Sequence, residues 1–107
     1  MEKQLYDQTL NRAYYAIFHA MRAVLALDLF DSKKHSGVIA EFNKRYIKTG
    51  IFEIRFGRIV KTAEMLRSES DYKDFFCADA EQALGQVANA REFVREVSTY
   101  LASKDVK

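Results

Sequence analysis

Arg12 and His19 stand seven residues apart in NRAYYAIFHA. At about 100° per residue on a helix, that spacing returns to within about 20° of the same direction two turns on. Tyr15 falls between them at three and four, and Arg22 extends the row, so Arg12, Tyr15, His19 and Arg22 form one stripe. A guanidinium can grip a phosphate through two parallel N–H bonds, and an imidazole can move protons near neutral pH. The stripe therefore suits a phosphodiester, and hydrolysis or transesterification of RNA on it would need no metal. The same residues also suit a polar seam, with the arginines solvated or paired to carboxylates and His19 hydrogen-bonded inside a helix interface.

Around this stripe the other candidates are weaker. Lys33, Lys34 and His35 could hold phosphate at a helix N-terminus, where backbone N–H groups favour anions, or could be a solvated basic loop. Lys44, Arg45 and Lys48, and then Arg55, Arg58 and Lys61, form further basic patches, balanced by Glu41, Glu53 and Glu64. His19 and His35 have no cysteines or clustered carboxylates around them at ligand spacing, so no metal and no cofactor are expected.

The elements that must position these side chains read as helices. The chain of 107 residues has the size of one domain, and residues 1–107 are taken as one. It has no proline and four glycines, which leaves long helices almost unobstructed. Half the residues are hydrophobic (49%) and 13% are aromatic, which excludes disorder. A net charge of +2 is too small to imply nucleic acid by itself. The one cysteine, Cys77, excludes an intramolecular disulfide, and MEKQLYDQTL lacks the apolar core of a signal peptide. No stretch reaches the roughly 20 apolar residues of a membrane span. A cytoplasmic location and no membrane contact are expected.

Apolar residues recur at three and four from about Glu2 to Leu29, with Leu10, Tyr14, Ile17, Met21, Val24 and Leu25 on one stripe. Ala13, Ala16, Ala20 and Ala23 run beside it and allow another helix axis to come close. DSKKHS breaks the pattern, with Ser32 or Ser36 as the next cap. Val38, Ile39, Phe42, Tyr46 and Ile47 define a short helix to about Lys48, ended by Gly50. A third helix is expected over about Phe52 to Ser68, then a packed loop anchored by Tyr72, Phe75 and Phe76. Asp79 and Gln82 read as a variant capping box for a fourth helix carrying Ala83, Val87, Ala90, Phe93, Val94, Val97 and Leu101, with a frayed ASKDVK tail.

NRAYYAIFHA, the loop KKHSGVIAEFNKRYIKTG, SDYKDFF and NAREFV together resemble the HEPN family of prokaryotic helical-bundle proteins, from Tyr6 to Leu101. The resemblance implies an all-α, antiparallel, up-and-down helical bundle that dimerises. In active members two Arg/His motifs then meet in a metal-independent ribonuclease centre, and many members are toxins paired with a nucleotidyltransferase antitoxin. The family motif, an arginine, four to six residues and a histidine, maps onto Arg12 and His19 as catalytic residues, with Tyr15 supporting and Arg22, Lys33 and Lys34 as phosphate-binding candidates. Ala13 stands where active members usually carry a polar residue, and Met21 where some toxins carry a tyrosine that the partner modifies. About ten residues precede NRAYYAIFHA where similar proteins carry a further helix, so a bundle shortened at the N-terminus is expected, its Leu10 or Ala stripe left for self-association. The alternative from a different class is a catalytically silent module that binds a partner, a nucleotide or RNA.

Overall fold

The computed structural model describes residues 3–72 and 79–104. It contains α1 (Lys3–Ala26), α2 (His35–Phe42), a π-helical turn (Asn43–Ile47), α3 (Ile54–Tyr72) and α4 (Ala80–Lys104), with no strand among the described residues. Among those residues no helix is long and apolar enough to cross a membrane.

The first helix stops at Ala26, three residues before the expected Leu29, because the chain closes a Schellman motif there. The Phe30 N–H donates to the Leu25 carbonyl (3.1 Å) and the Leu29 N–H to that of Ala26 (3.0 Å). Leu29 adopts φ 59° at the position that usually falls to glycine, and its side chain is 95% exposed.

The cap expected for the second helix is different. Helix α2 begins at His35 with Lys34 at its N-cap and no side-chain cap. Ser36 is already inside the first turn, and the Ser32 hydroxyl accepts from the Lys34 N–H (3.2 Å) ahead of the helix. The expected helix to Lys48 is also not all α: the Lys48 N–H reaches back five residues to the Asn43 carbonyl (2.8 Å), forming a π turn. Gly50, at φ 83°, ends it as expected. Gly57 of α3 admits this turn closely, since a Cβ there would lie 3.3 Å from Ile47.

Helix α3 runs on to Tyr72, so SESDY, expected in a loop, is helical. The packing expected of the Tyr72, Phe75 and Phe76 side chains lies outside the described residues. Ahead of α4 the capping box is formed: the Gln82 N–H donates to Asp79 Oδ1 (2.8 Å) and the Asp79 N–H to Gln82 Oε1 (3.3 Å).

The apolar stripes meet in one main core. Tyr14, Ile17, Met21, Val24 and Leu25 of α1 pack with Val38, Ile39 and Phe42 of α2, Phe56 and Val60 of α3, and Phe93 and Val97 of α4. A small satellite of Leu10 and Leu66, with Tyr6 against it, closes the other end, so the Leu10 stripe is covered by α3. Of the alanine row, Ala13 and Ala20 are buried while Ala16 and Ala23 are exposed.

Phe52 meets Tyr100 and Phe56 meets Phe93, so α3 and α4 are antiparallel. Arg12 and Arg91 line one hollow and Leu27 and Leu101 another, so α1 and α4 run in the same sense. The up-and-down alternation is modified at α2. The segment 27–34 doubles back, placing His35 beside Tyr14 and Tyr46 beside Asp28, so α2 rises alongside α1.

Candidate functional site

Helix α1 presents the stripe as expected, and its surroundings divide it. Arg12 and His19 are both exposed, and neither side chain has a hydrogen-bond partner within the chain among the described residues. Arg12 borders a hollow of about 620 Å³ between α1 and α4, floored by Ala13, Ala16, Val87 and Ala90. Arg91 and Arg95 stand on the same rim. His19 sits next to Tyr15, with ring centroids 5.9 Å apart, and borders Phe18 at 5.9 Å.

Tyr15 turns toward the α3 side, where the Arg67 guanidinium lies 5.5 Å from its ring and one nitrogen is 3.4 Å from its hydroxyl. Arg22 is engaged differently. Its guanidinium donates to Asp31 (2.9 Å) in a pair exposed on both sides, which solvent screens and a stronger anion can displace. The Ser32 N–H and then Arg22 hold the Asp31 carboxyl below the usual carboxylate range. Lys33 and Lys34 are exposed in the loop beside it.

Two residues complete this side: Arg67, which the sequence pattern did not single out, and His35, expected only as part of the Lys33, Lys34 and His35 loop cluster. His35 begins α2 and lies over Phe18 with ring centroids 4.0 Å apart, its Nδ1 3.0 Å from the Tyr14 hydroxyl. Burial, then the positive fields of Arg67, His19 and Arg22, hold the His35 imidazole below its ordinary pKa, against a weaker opposite pull from Glu64. Arg67, from α3, also lies over the Tyr14 ring at 5.0 Å. Burial raises the Tyr14 phenol above its usual pKa, partly offset by Arg67. The signal for His35 was its helical spacing of three, four and seven from Val38, Ile39 and Phe42, which turns it inward with them. Arg67 likewise follows Val60 and Ala63 by seven and four.

The other basic patches are committed only at Arg45 and Arg55, while Lys44, Lys48, Arg58 and Lys61 are exposed. Arg45 is held by Glu41 (2.6 Å) and Asp28 (3.5 Å), and Arg55 pairs with Glu53 and Glu92. Among the described residues, no three His, Cys, Asp or Glu side chains gather where they could hold a metal ion.

The model of the HEPN domain family matches residues 1–100. The chain belongs to the HEPN family. Among its relatives is the protein named Putative toxin MJ0605 of Methanocaldococcus jannaschii, 41% identical over 71 residues that cover 66% of this chain and 53% of the relative. Putative toxin MJ0142 of the same organism is 29% identical, covering 96% of this chain and 70% of the relative. The UPF0332 protein glr0978 of Gloeobacter violaceus is 35% identical, covering 89% and 79%. This HEPN chain therefore spans about half the length of the first of these. No solved structure matches it.

Proposed function

We propose that this HEPN chain, acting as one unit over residues 1–107, is a toxin-type, metal-independent endoribonuclease whose active face is built on Arg12 and His19. The observation that carries the reading is the exposure of both groups on one face of α1, with no hydrogen-bond partner for either among the described residues. A guanidinium and an imidazole left to solvent two turns apart on a rigid helix are placed to meet a ligand. The HEPN family membership and the toxin names of two relatives support the same reading.

In this mechanism the 2′-hydroxyl of RNA attacks the adjacent phosphorus. The O2′–P bond forms, the P–O5′ bond breaks, and a 2′,3′-cyclic phosphate and a 5′-hydroxyl end result. His19 transfers a proton at the attacking or the leaving oxygen, and Arg12 stabilises the charge on the phosphorane-like transition state. Tyr15 orients the His19 ring or stacks on a base. Lys33 and Lys34, and Arg22 once it leaves Asp31, draw in neighbouring phosphates. A homodimer would bring two such faces together, and a nucleotidyltransferase would be the controlling partner in the cytoplasm.

A second reading is favoured by the hollow between α1 and α4. Its apolar floor and the guanidinium rim of Arg12, Arg91 and Arg95 suit a silent module that binds a nucleotide, RNA or a protein partner. Incubating RNA with wild type, Arg12→Ala and His19→Ala, each with its oligomeric mass measured, separates the two. Cleavage by wild type that falls at least 100-fold in both variants at unchanged mass is expected. Intact RNA with wild type, or undiminished cleavage by the variants, removes the nuclease reading in favour of the silent module.

A further inference from the structure

Cleavage by a 2′-hydroxyl moves two protons. One leaves O2′ as the O2′–P bond forms, and one must reach O5′ as the P–O5′ bond breaks, so two placed groups serve the reaction better than one. The fold brings a second imidazole, from 16 residues further along the chain, against the same aromatic side chains as the first. His19 and His35 share two aromatic neighbours: Phe18, at 5.9 and 4.0 Å, and Tyr15, at 5.9 and 5.8 Å.

We propose that His35 is the second proton-transfer group of this face, in the same protomer as His19, with Tyr14 as its positioning residue. The proposal rests on the nuclease reading above. Tyr14 engages Nδ1 of His35 at 3.0 Å, while Nε2 has no hydrogen-bond partner among the described residues and His35 is half-buried, within reach of solvent. A phenol can accept from a protonated Nδ1 or donate to a bare one, so it steadies the ring whichever tautomer is present. The Phe18 face beneath fixes the ring plane.

The charges facing His35 decide which proton it handles. Arg67 from α3 and Arg22 and His19 from α1 are cationic or can be, against Glu64 from α3, and burial adds to their effect. An imidazole kept neutral in this way is a base. His35 takes the proton from O2′ through Nε2, and His19 delivers one to O5′.

The test follows cleavage of a mixed-sequence single-stranded RNA against pH for wild type, His35→Asn, Tyr14→Phe and His19→Ala, with Tyr46→Phe as a control at the far end of α2. Circular dichroism confirms that each variant is folded. Asparagine keeps a polar group near Nδ1 but cannot take up a proton. His35→Asn is expected to lower kcat roughly 100-fold with little change in KM and to erase the acidic limb of the pH profile. Tyr14→Phe should keep that limb but move it, with a loss of only a few-fold, and Tyr46→Phe should stay close to wild type. A folded His35→Asn protein with wild-type rate and profile, beside an inactive His19→Ala, overturns the role of His35 alone. No cleavage by wild type, or cleavage undiminished in His19→Ala, overturns the nuclease reading and this role with it.

Discussion

The two ends of the α2 segment are each tied to α1 or the loop after it by a tyrosine hydroxyl, and they differ in what that hydroxyl meets. At the far end Tyr46, on the π turn, donates to Asp28 (2.7 Å), and Arg45 bridges Asp28 and Glu41 while lying over Phe30. At the near end Tyr14 meets an imidazole. A buried phenol facing a carboxylate is locked as donor, and burial and Asp28 together push its pKa well up. A phenol facing histidine can serve either role. The same device therefore makes a clamp at one end and an adjustable support at the other.

The largest break in this comparison comes from Tyr46→Phe. It removes a hydrogen bond to a charged acceptor, and because Asp28 is about a third exposed the loss should lie near the lower bound for such bonds, about 1.5 kcal/mol by urea unfolding. RNA cleavage per folded molecule should not change. Tyr14→Phe should cost less, about 1 kcal/mol, and should alter the pH profile of cleavage instead. Equal stability losses with no change in that profile would make the two ends equivalent.

Acid sharpens the contrast from the near end. The folded state holds the His35 pKa below its unfolded value near 6.5, so the unfolded chain binds more protons there. This contribution to stability is complete above the unfolded value and is lost as pH falls through and below it. Thermal melts from pH 8 to 5 should show that loss in wild type and a flatter profile in His35→Asn. A steeper profile in the variant would contradict the assignment.

Between the two ends lies the strained Leu29. Replacing it with glycine should raise stability by about 1 kcal/mol, or Tm by several degrees, through relief of its left-handed backbone. The smallest effect belongs to the exposed pair beside it, where Arg22→Ala should leave Tm unchanged in 0.15 M salt.

Most of the fold was legible because each helix buries a stripe long enough to show its period. Leu10, Tyr14, Ile17, Met21, Val24 and Leu25 are all buried as their spacing requires, and so are Phe52, Phe56, Ile59, Val60, Ala63 and Leu66. Some departures fell where backbone bonding overrode side-chain pattern, with Leu29 in a glycine position, Lys34 in a cap position and five residues that wind as π rather than α. Others did not, since Val94 of the expected α4 face is exposed and α3 continues through SESDY. The candidate site was legible along one helix, and its surroundings from the other helices were not. Arg12, Tyr15, His19 and Arg22 share a local period, whereas His35 and Arg67 reach the stripe through packing of α2 and α3, which no spacing within α1 records.

The packing of α1 against α4 also sets an order of events. Helix α1 finds its most extensive packing on α4, which begins only at Ala80, so its alanine face has no α4 against it until that segment has been synthesised. Contacts this distant in sequence close late, after the nearer pairing of α3 with α4. A ribosome adding roughly 5–20 residues each second therefore carries the Arg12 and His19 helix for several seconds before its backing exists. A nascent chain cut short before Ala80 has no α4 to pack behind Arg12 and His19, so the α1–α4 face exists only in molecules in which residues 80–104 have been made.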